Sequence, residues 1–177
     1  PVLGFREVVN GKTEIAKTPN FAYQNQFGMV VDSNFLQGKI HIANFFFTSC
    51  PTICPKTIKS MKRLSDHFGQ DSDIQFLNFS IDFRNDSVPR LKHYFDKLGI
   101  SNTNFHLLRM PDKDELARVP PKYMSVALED STSAGGFDHS GRLLLVDRER
   151  HIRSYCLGTD EKDVTRFIKD IEQLKSE

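Results

Sequence analysis

The 177-residue sequence has no tryptophan, only three cysteines, a net charge of +1 and no repeat or low-complexity tract. Each shortage excludes a class of protein. An odd, small cysteine count cannot staple a disulfide framework, and two of the three, Cys50 and Cys54, lie only four residues apart. Twenty-four Lys and Arg against 23 Asp and Glu, with no run of five like charges, leave neither a nucleic-acid footprint nor an acidic tail. The most apolar segment, Ile40 to Phe47, is broken by His41 and Asn44 and falls far short of the ~18 residues of a membrane span. The length is that of one domain, so residues 1–177 read as a single unit with 1–20 as an N-terminal extension. The chain starts at Pro1 with neither methionine nor a signal-peptide pattern, and an upstream export signal or membrane anchor is expected to have been removed.

What is present is a core. Fifteen phenylalanines and four tyrosines supply bulky apolar material within a chain that is 38% hydrophobic. Asn10-Gly11 marks a turn, and Phe21 to Phe27 alternates apolar and polar residues as a half-buried strand does. Lys39 to Thr48 is densely apolar without clean alternation, the pattern of a central strand covered on both faces. Ile58, Met61, Leu64 and Phe68 form a helical stripe that Pro55 opens and Gly69 ends. A strand over Ile74–Ile81, a helix over Val88–Leu98 and a strand over Asn104–Leu108 follow. A brief helix over Asp112–Val119 and a strand over Met124–Leu128 lead into a polar, flexible loop, Glu129–Gly141. Arg142–Asp147 and Ile152–Leu157 read as a hairpin, and Glu161–Lys175 as a closing helix. This order predicts an α/β fold of thioredoxin-like arrangement, a mixed sheet covered by helices on both faces.

The cysteines fall where a buried strand runs into a loop and helix, with Cys54 at the helix N-terminus. Unpaired N–H groups and the positive end of the helix dipole favour a thiolate there, the species that attacks disulfides and binds metals. Two thiols at this spacing allow either a disulfide or a shared metal ion. Two inert buried cysteines are the plain alternative, and Cys156 reads as such a core residue. A soft ion such as Cu(I) suits two thiolates and an imidazole. His67 and His93 lie on polar helix sides, His151 in a hairpin turn, and His41 and His106 in strands. His139 differs in sitting in a loop between Asp138 and Ser140, but the residues alone do not choose it over the other five.

The segment TSCPTICPK at the start of a helix, with DHSGRLLLVD some way downstream, resembles the Sco/SenC family of copper-binding thioredoxin-like proteins. The resemblance runs from about Phe21 through the last helix and includes FFFTSCP and NFSIDFRND. It implies that Cys50, Cys54 and His139 hold one copper ion per chain, as Cu(I) or Cu(II). It further implies a metallochaperone that assembles the dinuclear copper A site of cytochrome c oxidase subunit II, or serves another cuproprotein. The alternative is a thiol-disulfide oxidoreductase in which Cys50 and Cys54 are the catalytic residues and thiol reductant proteins are partners. A sensor using the same ligands is a third reading, and a peroxiredoxin-like peroxidase a weaker fourth. By the same resemblance the chain is extracytoplasmic, tethered to a bacterial inner membrane in the periplasm or to the mitochondrial inner membrane. Ser49 stands where the family often has histidine, Phe83 where it often has proline after Asp82, and Cys156 where it more often has an aromatic residue. Asp82 and Asp86 match acidic positions of the family and are expected near the copper or on a docking face, or else as a strand-end residue and a helix cap.

Overall fold

The computed structural model describes residues 1–177, the side chains of Asp138 and His139 apart. The chain runs β1 (Arg6–Val9), β2 (Lys12–Ile15), β3 (Ala22–Gln24), β4 (Val30–Asp32), β5 (Ile40–Phe46), α1 (Ile53–Phe68), β6 (Ile74–Ser80), α2 (Val88–Leu98) and β7 (Phe105–Arg109). It continues through α3 (Lys113–Lys122), β8 (Ala127–Glu129), a 3₁₀ turn (Ala134–Gly136), β9 (Phe137–His139), β10 (Arg142–Val146), β11 (Ile152–Leu157) and α4 (Glu161–Ser176).

The central sheet has the order β11-β10-β5-β6-β7. β5, β6 and β7 are parallel, with Ile40 opposite Ile74 and Phe76 opposite Phe105, while β10 and β11 run antiparallel. Every residue of β5 and β6 is buried, which explains the unbroken apolar runs read from the sequence. The steps from β5 to β6 and from β6 to β7 move in one direction, and right-handed crossovers therefore place α1 and α2 on one face. On that face Tyr94 of α2 meets Phe46, Phe95 meets Phe105, and α4 packs against α1. On the other face Phe45 stacks on Phe79, and both meet Tyr123, the residue that ends α3. Phe21 and Tyr23 close over Phe79 from the same side. The sheet is mixed and covered on both faces, as the sequence predicts.

Three expectations are corrected. Pro55 is third in α1, not first, because the helix starts at Ile53; its missing N–H still costs nothing, since the first-turn N–H groups have no intrahelical partner. α3 continues past Val119 through Pro120 and Pro121, and the proline carbonyls accept from Tyr123 N–H (3.0 Å) and Met124 N–H (3.0 Å) to close its last turn. The stretch read as a flexible loop, Glu129–Gly141, is instead mostly a hairpin in which Ala127, Leu128 and Glu129 pair with residues 139, 138 and 137. Asp130 organises its turn by accepting from Thr132 N–H (2.9 Å) and the Ser133 hydroxyl (2.9 Å). In the N-terminal extension Asn10 (φ 50°) and Gly11 (φ 76°) form the turn between β1 and β2, and Leu3 bridges to Ile152 beside the outer edge of β11. Among the described residues no helix is long and apolar enough to cross a membrane.

Candidate metal and dithiol centre

β5 delivers Phe47 to the end of the sheet, and the chain then turns through Thr48–Thr52 into α1. Cys50 N–H donates to the Phe47 carbonyl (3.2 Å), folding the loop back on the strand end. Cys50 is 6% exposed and Cys54 1%, so the first cysteine is the more accessible of two buried thiols. Thr52, the N-cap of α1, makes no side-chain capping bond. Its hydroxyl and N–H serve the Cys50 sulfur instead.

The two sulfurs are polarised in opposite senses. Burial raises the Cys50 pKa, but hydrogen bonds from the Cys54 thiol, the N–H groups of Thr52 and Cys54 and the Thr52 hydroxyl outweigh it, leaving Cys50 below the ordinary thiol value. Cys54 is pushed well above that value by burial, by giving its hydrogen bond to Cys50, and by the nearby charges of Cys50 and Asp86. Cys50 is thus the more acidic of the two thiols and the first to give up its proton, while Cys54 holds its own. Tyr94 of α2, which packs on Phe46, is pushed up to about 12 by burial and by the charges of Cys54, Cys50 and Asp86.

The β8–β9 hairpin lies over this loop. Phe137 packs on Phe47 with ring centroids 5.1 Å apart. At Gly135 (φ 80°) an added Cβ would sit 2.7 Å from the Phe47 ring and 3.5 Å from Pro51, so only glycine permits this approach. Gly141 approaches Ile53 less tightly, where a Cβ would lie 3.1 Å away. Gly141 accepts from Gly158 N–H (2.9 Å), whose own carbonyl takes the Ser60 hydroxyl (2.6 Å), fastening the hairpin's exit to α1. A groove of about 530 Å³ opens beside the loop, lined by Pro51, Thr52, Ile53, Lys56 and Ser140 among others.

The structure therefore brings Cys50 and Cys54 together, and it lays the backbone of the strand carrying residue 139 in a hairpin pressed on their loop. The His139 side chain, and Asp138 beside it, lie outside the described residues. Among the described residues no third His, Cys, Asp or Glu joins the two cysteines as a metal-binding group. Two adjacent thiols form a soft donor pair, which fits copper(I) or zinc better than a hard cation. His41 and His106 are buried in strands and engaged with Tyr123 and with Asn25 and Gln75. Cys156 is fully buried opposite Leu143, with burial pushing its thiol up to about 12.

Asp86 is not the cap of α2. That cap is Ser87, whose hydroxyl accepts from Arg90 N–H (3.3 Å). Asp86, 1% exposed, turns back to the cysteine loop and accepts from Thr48 N–H (3.0 Å), the Thr48 hydroxyl (2.5 Å) and the Ser80 hydroxyl (2.6 Å). Asp82 shapes the preceding turn through Asn85 N–H (3.1 Å) and its own carbonyl, which takes Asp86 N–H (2.9 Å). Thr48, Ser80, Arg90 and Tyr94 escape the sequence reading: Thr48 pairs with Asp86 and Arg90 across about 40 positions, and nothing local marks Ser80 as the partner of Asp86 six residues on.

A dithiol at the end of the central strand, polarised by a helix N-terminus in a mixed five-stranded sheet, defines the class as thioredoxin-like. The comparisons narrow it. The family model described as SCO1/SenC matches residues 10–176, and the chain belongs to that family. It is 25% identical over 157 residues to a SCO1 protein homolog of Bacillus subtilis (strain 168), covering 88% of this chain and 81% of the relative. Among solved structures, Bradyrhizobium japonicum ScoI with copper bound superposes with a TM-score of 0.74 at 23% identity, covering 90% of this chain and 99% of the other. BsSco, described as a member of the Sco family of cytochrome c oxidase assembly proteins and as containing a disulfide switch, superposes at 0.72 with 23% identity, covering 88% and 91%.

Proposed function

We propose that this protein is a metallochaperone that carries one copper ion, as Cu(I) or Cu(II), for assembly of the dinuclear copper A site of cytochrome c oxidase subunit II. Cys50 and Cys54 are its thiolate ligands and His139 its imidazole ligand. The observation that carries this reading is the polarised pair beneath a hairpin whose second strand ends at residue 139. Membership of the SCO1/SenC family and the copper-bound state of the Bradyrhizobium relative support copper as the cargo. Cys50, the more acidic thiol, gives up its proton first to a soft ion, and the Cys54 proton leaves as the second sulfur binds. Three protein ligands leave one side open, so an acceptor's thiol or imidazole takes hold before the donor's ligands let go. We place the chain outside the cytoplasm, tethered to a membrane by an N-terminal anchor.

A second reading has its own observation. The same division of proton suits a thiol-disulfide oxidoreductase: the Cys50 thiolate attacks a partner disulfide, and Cys54 resolves the mixed disulfide, leaving the partner reduced and this chain oxidised. The disulfide switch described for BsSco favours keeping it. An anaerobic Cu(I) competition titration of the reduced protein against a chromogenic chelator separates the two. One copper per chain, weakened by both His139→Ala and Cys50→Ser, supports the chaperone; reductase activity that survives His139→Ala with no competitive copper binding overturns it.

A further inference from the structure

The polar cluster behind the cysteine loop has no part in ligation, yet its geometry is too complete to be incidental. Asp86 accepts three hydrogen bonds, two of them from Thr48 and one from Ser80 at the end of the neighbouring strand. Arg90, one turn along α2, lies 3.5 Å from the Asp86 carboxylate, donates from Nε to the Thr48 hydroxyl (2.9 Å) and reaches Ser49 Oγ (3.4 Å). The Thr48 hydroxyl thus donates to a carboxylate and accepts from a guanidinium at once, both of which are stronger bonds than those between neutral groups. Arg90 of α2, and Asp86 just before it and braced by Ser80 of β6, together grip the two residues that immediately precede Cys50.

We infer that Asp86 and Thr48 are positioning residues that hold the Cys50–Cys54 pair in its dithiol geometry and so keep it receptive to a metal ion. The inference rests on the reading of these two cysteines as the functional pair. A disulfide must bring the sulfurs to about 2.05 Å. Two sulfurs sharing one ion through bonds near ~2.3 Å stay much farther apart. In the structure they are in hydrogen-bond contact, with the clamp fully made. Closing to a disulfide must move the Cys50 sulfur toward Cys54, and the clamp on Thr48 and Ser49 resists a shift of the loop that carries it. The clamp therefore favours dithiol over disulfide, and its removal shifts the balance toward the disulfide.

The test equilibrates metal-free protein with glutathione and glutathione disulfide. In it Cys50 and Cys54 lose two electrons and two protons as their S–S bond forms, and glutathione disulfide takes up both to yield two glutathione thiols. Acid-quenched samples report the oxidised fraction by mass. Thr48→Val, which keeps the shape but removes the hydroxyl, is expected to shift the equilibrium constant at least fivefold toward the disulfide, and Thr48→Ser to return it most of the way. Asp86→Asn, which keeps the shape but removes the charge, is expected to shift it in the same direction. Circular dichroism at each composition establishes that the variants are folded. An unchanged equilibrium in folded Thr48→Val overturns the inference whatever the protein does with copper. Failure of the wild type to bind Cu(I) overturns the chaperone reading and leaves this equilibrium, measured without metal, still decisive for the clamp.

Discussion

Lowering the pH from 7 to 5 should strip this protein of a large part of its stability through two histidines remote from the cysteines. His41 is 1% exposed, and its pKa is lowered to about 3 by burial and the nearby Arg150, with Asp147 opposing. Nε2 meets the Tyr123 hydroxyl (3.1 Å), while Nδ1 has no partner, so a proton there would be an uncompensated buried charge. His106 is lowered to about 4, by burial first and Lys39 second. Its Nε2 donates to Gln75 Oε1 (2.9 Å) and its Nδ1 accepts from Asn25 Nδ2 (3.3 Å), a pattern available only to the neutral ring.

Both rings titrate near ~6.5 when unfolded, so below that pH the unfolded chain binds two protons that the folded chain refuses. The folded-state values are depressed; stability is therefore full above pH ~6.5 and falls as the pH drops toward 4 and 3. At pH 5 each ring is about 1.5 units below its unfolded pKa, which at ~1.36 kcal/mol per unit gives a loss of about 2 kcal/mol apiece and about 4 kcal/mol together. With a urea m-value of roughly 2 kcal/mol/M, the midpoint moves down by about 2 M. Carboxylates held low by their partners, such as Asp71, Glu115 and Asp163, lose their contribution only at more acid pH, so this window isolates the imidazoles. The assay is urea unfolding of metal-free wild type, His41→Gln and His106→Gln at pH 7 and 5. Each variant should show about half the wild-type loss; an unchanged wild-type midpoint, or an undiminished loss in both variants, refutes the reasoning.

Two further outcomes follow from the site. Gly135→Ala drives a Cβ into the Phe47 ring at a backbone angle that disfavours side chains, and should cost roughly 1–3 kcal/mol in chemical denaturation while loosening the hairpin from the cysteine loop, read as faster amide exchange at Phe137. A denaturation midpoint equal to wild type would show that the approach is not tight. Because Cys54 keeps its proton far above neutrality, copper uptake should release protons, and the apparent affinity for Cu(I) should rise between pH 6 and 8; a flat pH profile would mean that Cys54 is not a ligand.

Much of the fold is legible because its signals are local. The unbroken apolar runs of β5 and β6, the helical stripe of α1 and the short turn between β10 and β11 each carry their assignment within a dozen residues. The cysteine pair is legible for the same reason, since the strand, the loop prolines and the helix start are contiguous. What escapes is set by contacts distant in sequence. The β8–β9 hairpin is stabilised by Phe137 packing on Phe47 and by Gly135 fitting against the same ring, neither of which its polar composition reveals. The sequence reading ends α3 at Val119, just before its paired prolines, but Tyr123 is anchored in the core against Phe45 and Phe79 and draws the last turn into helical form. Asp86 reads as a helix cap because it stands beside the true one, Ser87, and only the folded chain shows that its carboxylate is taken by Thr48 and Ser80.

The central claim is that residue 139 completes the site with the two cysteines, and X-ray absorption at the copper edge of the singly loaded protein tests it most directly. The account predicts two sulfur scatterers and one imidazole nitrogen in the wild type, with the imidazole signal lost in His139→Ala and one sulfur lost in Cys50→Ser. A wild-type spectrum that His139→Ala leaves unchanged would contradict it.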